Sequence, residues 1–166
     1  KKENVYAIGV FRKYSLPLVS NENHVVLVNP SSMGNLGTIM RTMAGFNFSN
    51  LAIIQPSADA FDPKTIRASM GAIFQLNISN FKDINEYISI YNRQFYLLTS
   101  NGNIQINHVS FRKPYSLFFG NESRGLDPKM NHLGKSVSIR QSKNIDSFNL
   151  AISVGITLYQ TTLSNQ

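Results

Sequence analysis

The chain contains no cysteine. That excludes disulfides and thiolate metal sites, and it suits a reducing compartment. No apolar run approaches the roughly 18 residues a membrane-spanning helix needs. The opening "KKENVYAIGV" lacks the apolar core of a secretory signal. Charge is sparse at 15% of residues, and acids are the scarcer sign, 9 against 16 Lys plus Arg. With 42% hydrophobic residues, a disordered chain is excluded. The 166 residues suit one domain, spanning 1–166, able to bury a core. The expectation is a soluble cytoplasmic protein. Its net charge of +7 favours polyanionic partners, RNA or DNA first. The basic residues are scattered, so there is no polybasic tail.

What is present is a repeated design. "HVVLVNP" (24–30), "LAIIQP" (51–56), "FYLLTSNG" (95–102) and "SLFFGN" (116–121) are short apolar runs that stop at turn-forming residues. "SVSIR" (136–140) is a weaker fifth. Continuous rather than alternating runs suit strands covered on both faces, as in parallel sheets. Helical patterns lie between them at 35–46, 62–74, 81–92 and 147–162. Asp62 is placed to cap the second, with Pro63 in its first position. Alternating strand and helix predicts an open parallel α/β sheet with helices on both faces. Residues 1–23 read as an arm or an extra strand.

Ligands in such sheets bind beyond the carboxyl ends of the strands. Three stretches fall there. In "FFGNESRGLDP" an apolar strand stops at Gly120, and Glu122 and Arg124 follow. Glycine at that point allows close backbone approach or a positive φ. In "NPSSMGNLGTIMRTMAGF" a helix from Asn35 carries Leu36, Ile39, Met40 and Met43 on one apolar stripe. Arg41 then falls about 150° from the stripe and faces solvent, a substrate or a partner chain. Asn35 is placed to cap this helix. The glycine-rich approach "SSMGNLG" is more than a cap needs. In "RQSKNIDSFNLAISVG", Ser147 can cap the last helix, and Asp146 suits its dipole. Asn149 has no such simple explanation.

Together these stretches resemble, in order and spacing, the three signature motifs of the SpoU/TrmH-like branch of the SPOUT class of RNA methyltransferases. The resemblance covers roughly residues 25 to 160. Two positions depart from the family: Arg140 stands where proline is usual, and Phe148 where leucine is usual. The resemblance implies a parallel α/β sheet whose C-terminal part is tied into a deep trefoil knot. It implies S-adenosylmethionine as cofactor and a homodimer with the site near the interface. It also implies tRNA or rRNA as substrate and a minimal member without a separate RNA-binding domain. Leu98 would sit by the adenine, Gly120, Ile139 and Phe148 would contact the cofactor, and Ser147 and Asn149 would fix the helix end beside it. Arg41, Asn35 and Glu122 would form the catalytic set, with Glu122 organising the pocket and the arginine.

The implied reaction is methyl transfer to a ribose 2′-OH, an in-line displacement that needs alignment of oxygen, methyl and sulfur. An arginine, with a pKa above ~12, is a poor base at neutral pH. Arg41 is therefore read as an electrostatic clamp on the ribose oxygen or an adjacent phosphate. Asn35 would orient the arginine or the ribose. Two alternatives stand beside this reading: a knotted RNA-binding protein without catalysis, and a methyltransferase of the same class acting on a base nitrogen. His24, His108 and His132 lack ligand spacing, so no metal is expected, and all three are expected on the surface or in loops.

Overall fold

A computed structural model describes residues 9–142 and 144–163. Among these, seven strands form one sheet: β1 (His24–Val28), β2 (Asn50–Ile54), β3 (Asn77–Phe81), β4 (Gln94–Leu98), β5 (Ile104–Gln105), β6 (Tyr115–Phe119) and β7 (Lys135–Ser138). Their order is β3-β2-β1-β6-β4-β7-β5, and every neighbouring pair is parallel. The helices are α1 (Met33–Gly45), α2 (Pro63–Ser69), α3 (Ile84–Ile90) and α4 (Leu150–Leu163).

Successive strand residues point to opposite faces, and both faces of this sheet are dry. On one, Val25, Leu27, Leu51 and Leu117 meet Leu36, Ile39, Met40 and Met43 of α1 and Val154 and Leu158 of α4. On the other, Val26, Ala52, Leu97 and Phe118 meet Tyr87 of α3, Tyr91 and Met130. This explains the unbroken apolar runs and bears out the predicted parallel sheet with helices on both faces. The stripe on α1 is fully buried, and Arg41 is exposed.

Several boundaries differ from the sequence reading. α1 begins at Met33, not Asn35. Its cap is Ser32, held extended, whose hydroxyl accepts from the Asn35 N–H at 3.3 Å. Asn35 lies inside the first turn, and its side chain is released for other work. Gly37 explains the glycine-rich approach: a Cβ there would lie 2.4 Å from the Thr65 carbonyl oxygen, so α1 and α2 touch through it. The pattern at 62–74 does start at a cap, Asp62 accepting from the Lys64 N–H at 2.7 Å. It breaks after Ser69, where Met70 and Gly71 are left-handed, and resumes as a 3₁₀ turn, Ala72–Gln75. Strand β3, "NISNF", was not anticipated. It is a polar edge strand with only Ile78 and Phe81 buried, so it leaves no apolar run. The helix expected over 81–92 begins after it, capped by Asp83.

Residues 9–23 form an arm rather than a strand, and the rest of the expected 1–23 arm lies outside the described residues. The arm lies against edge strand β3. The Leu16 N–H donates to the Ile78 carbonyl at 3.2 Å, and the Ser79 hydroxyl donates to the Leu16 carbonyl at 2.6 Å. Unpaired strand edges template association, and a covered edge does not.

His24 is neither on the surface nor in a loop. It opens β1 and is wholly buried. Its Nε2 lies 2.9 Å from the Val19 carbonyl, which can only accept, so Nε2 carries the proton. Nδ1 therefore accepts from the Tyr87 hydroxyl at 2.8 Å, and Tyr87 in turn accepts from the Ser116 hydroxyl at 2.7 Å. The chain of donors is fixed and pins α3 to the sheet. Burial pulls the His24 imidazole from 6.5 down to about 4, against the opposing pull of the Val19 carbonyl. The unfolded chain thus takes up this proton first, so His24 contributes full stability above pH 6.5. That contribution drains away as pH falls from 6.5 toward about 4. Tyr87→Phe leaves the His24 Nδ1 and the Ser116 hydroxyl unpaired. It should lower unfolding free energy by about 1–3 kcal/mol in urea titrations at pH 7.5. A variant indistinguishable from the parent would refute the buried network.

Candidate active site

The carboxyl ends of three adjacent strands, β6, β4 and β7, open into a cavity of about 290 Å³. Leu98 ends β4, Gly120 follows β6, and Ile139 follows β7. All three line the cavity, as do Glu122, Ser147 and Phe148. Asn35, Arg41 and Asn149 do not line it.

Gly120 reaches the cavity wall without a positive φ, and what crowds it is its own loop. A Cβ there would lie 2.0 Å from the Gly125 carbonyl carbon and 2.2 Å from the Leu126 nitrogen. The loop folds back because the Gly125 N–H donates to the Asn121 carbonyl at 2.9 Å, and Gly125 takes the positive φ of 67°. The Asn121 amide meanwhile donates to the Asn29 carbonyl at 2.8 Å, which ties this loop to the end of β1. The result is a rigid bracket that carries Glu122.

Glu122 is held from several directions. Its Oε2 accepts from the Ser31 N–H at 3.0 Å and the Ser31 hydroxyl at 2.8 Å. Its Oε1 accepts from the Ser32 N–H at 3.0 Å and the Asn35 amide at 3.2 Å. Partial burial alone would push the carboxyl up. The hydrogen bonds from Ser31 and Ser32 outweigh it and bring the group from 4.5 down to about 2. Ser31 and Ser32 escaped the sequence reading; the visible signal was a pair of small donors before the helix.

Asn35 passes the connection on. Its Oδ1 accepts from the Asn149 amide at 3.1 Å. The Asn149 Oδ1 accepts from the Ala151 N–H at 2.9 Å and the Ile152 N–H at 3.4 Å. Asn149, not Ser147, therefore caps α4, which begins at Leu150. Ser147 is freed to line the cavity. All three motifs thus meet in one chain of hydrogen bonds, Glu122–Asn35–Asn149.

Arg41 stands apart. It is exposed, and its guanidinium bonds to nothing among the described residues. Six positions past Asn35, it lies about 9 Å further along α1 and about 120° around the axis. Arg140 is likewise exposed, and Ile139 beside it lines the cavity although no proline shapes the turn. The Gln141 amide donates to the Asp146 carbonyl at 3.0 Å and closes that turn instead. Among the described residues no group of three or more His, Asp or Glu could hold a metal ion, and no helix is long and apolar enough to cross a membrane.

A parallel sheet with a cavity over its strand ends is an open α/β architecture, whose ligands characteristically bind at that position. The chain belongs to the SpoU rRNA methylase family, whose model matches residues 22–159. It is 28% identical over 140 residues to an uncharacterized tRNA/rRNA methyltransferase of Synechocystis, covering 82% of this chain and 51% of that protein. It is 27% identical over 145 residues to the 23S rRNA (uridine(2479)-2′-O)-methyltransferase of Streptomyces viridochromogenes, covering 82% and 50%. The chain thus spans about half the length of these two relatives. Among solved structures, an S-adenosylmethionine-bound rRNA methyltransferase from Sinorhizobium meliloti matches with a TM-score of 0.81 at 28% identity. The match covers 92% of this chain and 61% of that one.

The hydrogen-bonded chain makes two substitutions informative. Glu122→Gln keeps the shape but turns one acceptor oxygen into a donor facing donors. It should destabilise the protein by about 1–3 kcal/mol. Because its folded value lies below 4.5, Glu122 stabilises fully above that pH and loses the effect as pH falls toward about 2. The melting temperature of Glu122→Gln should therefore depend less on pH in that range than the parent's does, Asp59 still contributing its share. Asn35→Asp sets a carboxylate against Glu122, 3.2 Å away in the parent, and should destabilise more at pH 7 than at pH 4. An equal loss at both values, read by thermal denaturation, would count against the assignment.

Proposed function

We propose that the chain is an S-adenosylmethionine-dependent methyltransferase acting on a ribose 2′-OH of tRNA or rRNA. The observation that carries this is the meeting of Glu122, Asn35 and Asn149, one from each signature motif, beside a cavity at the ends of β6, β4 and β7. The named activities of the tRNA/rRNA relatives and the cofactor-bound structural neighbour support it.

The residues present fit the cofactor. Leu98, Ile139 and Phe148 offer an apolar slot for an adenine, and Ser147 and strand-end backbone groups offer polar contacts. When bound, S-adenosylmethionine supplies the methyl group on a sulfonium that departs as a neutral thioether, so the leaving group needs no acid. Glu122 is unsuited as a base: its oxygens are already occupied by donors, and its value of about 2 leaves it little affinity for a proton. It and Asn35 organise the pocket. Arg41 clamps the ribose oxygen or its phosphate with the planar fork of its guanidinium.

Arg41 turns away from Asn35's side of α1, which fits a homodimer in which it acts near the interface. α4 packs beside α1, with Phe46 against Tyr159. It leaves Ile152, Tyr159 and Leu163 about half exposed, a stripe at helical spacing suited to a second copy. The same reading takes the chain as one domain, cytoplasmic, independent of metal, with a knot tied by the segments around the cavity.

Two measurements test this. Calorimetry on metal-free protein should detect S-adenosylhomocysteine; silence at high micromolar ligand would contradict the cofactor assignment. Total RNA incubated with the protein and S-adenosylmethionine should gain ribose methyl groups, read as linkages that resist alkali. Arg41→Ala should slow the reaction about 10²–10³-fold with cofactor affinity nearly unchanged. Arg41→Lys should also be poor, because an ammonium lacks the fork. A methyl group on a base, or an Arg41→Ala rate within a few-fold of the parent, would sink the ribose mechanism.

A further inference from the structure

A second, larger cleft of about 970 Å³ adjoins the cofactor cavity across the Gly120–Gly125 bracket. The two share Asn121, Ser123, Arg124 and Gly125 on their walls. The cleft lies beyond the ends of β1 and β2. Val28, Pro30, Pro56, Ala58 and Met130 make it apolar, and Ser57, Ser123 and Asp127 give it a polar rim.

Most of its polar groups are already used internally. The Ser31 hydroxyl donates to Glu122, and the Ser57 hydroxyl donates to the Ala58 carbonyl at 3.0 Å. One Asp127 oxygen caps the turn Pro128–Leu133 by accepting from the Lys129 N–H at 2.9 Å. Arg124 is different. It is exposed, and its guanidinium bonds to nothing among the described residues, although its backbone is fixed by Asn121 at 3.3 Å. An unspent planar cation at the border of two cavities, on a protein of net charge +7, fits a phosphate. Two proline rings and a thioether beyond it offer an apolar surface to the face of a nucleobase.

We propose that this cleft takes a nucleotide of the substrate RNA strand, with the base against Pro30, Pro56 and Met130 and its phosphate on Arg124. Because the bracket is common to both cavities, a strand whose ribose enters beside the cofactor continues into the cleft without crossing other protein. The cleft would then choose which RNA positions are presented, a role separate from that of Glu122, Asn35 and Arg41. The proposal rests on the RNA methyl-transfer reading.

The test is amide NMR of the full chain saturated with S-adenosylhomocysteine, titrated with uridine 5′-monophosphate, uridine, inorganic phosphate and a single-stranded hexauridylate. The nucleotide should move the amides of Asn29, Ser57, Ala58, Gly125 and Asp127 saturably. Hexauridylate should do so at lower concentration, because neighbouring phosphates add contacts. With S-adenosylhomocysteine kept saturating, Arg124→Ala should weaken nucleotide binding about tenfold or more. The proposal fails if those amides stay still at tens of millimolar nucleotide, or if Arg124→Ala binds as the parent does. It also fails if inorganic phosphate alone reproduces the shifts, which marks an anion site only. Hexauridylate no tighter than the mononucleotide would mark a free-nucleotide site and overturn it equally. Failure of S-adenosylhomocysteine to bind would instead refute the methyltransferase reading itself.

Discussion

The carboxylate of Glu122 is the constraint on which the site depends. Helix α1 opens with unpaired N–H groups and has no acidic residue in its first turn. An anion is stabilising at that end, and here it arrives from a loop some ninety residues later in the chain. Ser31 and Ser32 give it both backbone N–H groups and a hydroxyl, and Asn35 gives it an amide. One side chain thereby anchors the chain where it enters α1 and fixes the loop after β6. Through Asn35 it also orients Asn149, whose other amide atom caps α4. Neither the Asn35 nor the Asn149 amide can flip without setting a donor against a donor.

The cavity follows from how the sheet orders its strands. β6 lies between β1 and β4, and β7 lies beyond β4, so three loops from separate parts of the chain converge on one rim. The crowding explains the demand for small residues. At Gly120 the bracket returns across the end of its own strand, within a distance no Cβ tolerates. The bracket is therefore set by backbone geometry, and its exposed side chains, Ser123 and Arg124, are left for solvent or ligand.

The sequence made legible what hydrophobic pattern and motif spacing encode. The buried stripe of Leu36, Ile39, Met40 and Met43, the outward Arg41 and the parallel sheet were all readable, because each rests on periodicity. Polar elements were not. β3 buries only Ile78 and Phe81, so it carries no run to find. His24 looked like a surface or loop residue because its partners, the Val19 carbonyl of the arm and the Tyr87 hydroxyl of α3, lie on other elements of the fold. The capping roles of Asn35 and Asn149 were misread for a related reason. A cap can be guessed from local sequence, but a side chain already claimed by a distant partner cannot. Ser32 and Asn149 cap their helices because Asn35 is spoken for by Glu122.

Several polar residues of the three motifs are tethered within the fold, and others are left free. Glu122, Asn35, Asn149, Ser31, Ser32 and Asn121 have their hydrogen bonds directed inward, and they act chiefly on shape. Arg41 and Arg124 are exposed, with no bond to either guanidinium among the described residues. A preorganised site needs both classes: fixed dipoles that do not reorganise during the reaction, and cations whose binding capacity is kept for the incoming anion. Pairing either arginine internally would have made the fold slightly firmer, since exposed ion pairs contribute little, and would have set a competitor against every phosphate. On the proposed RNA methyl-transfer reading, the arginines left unpaired, Arg41 and Arg124 among them, are kept for the phosphates, while the carboxylate of Glu122 is satisfied within the fold.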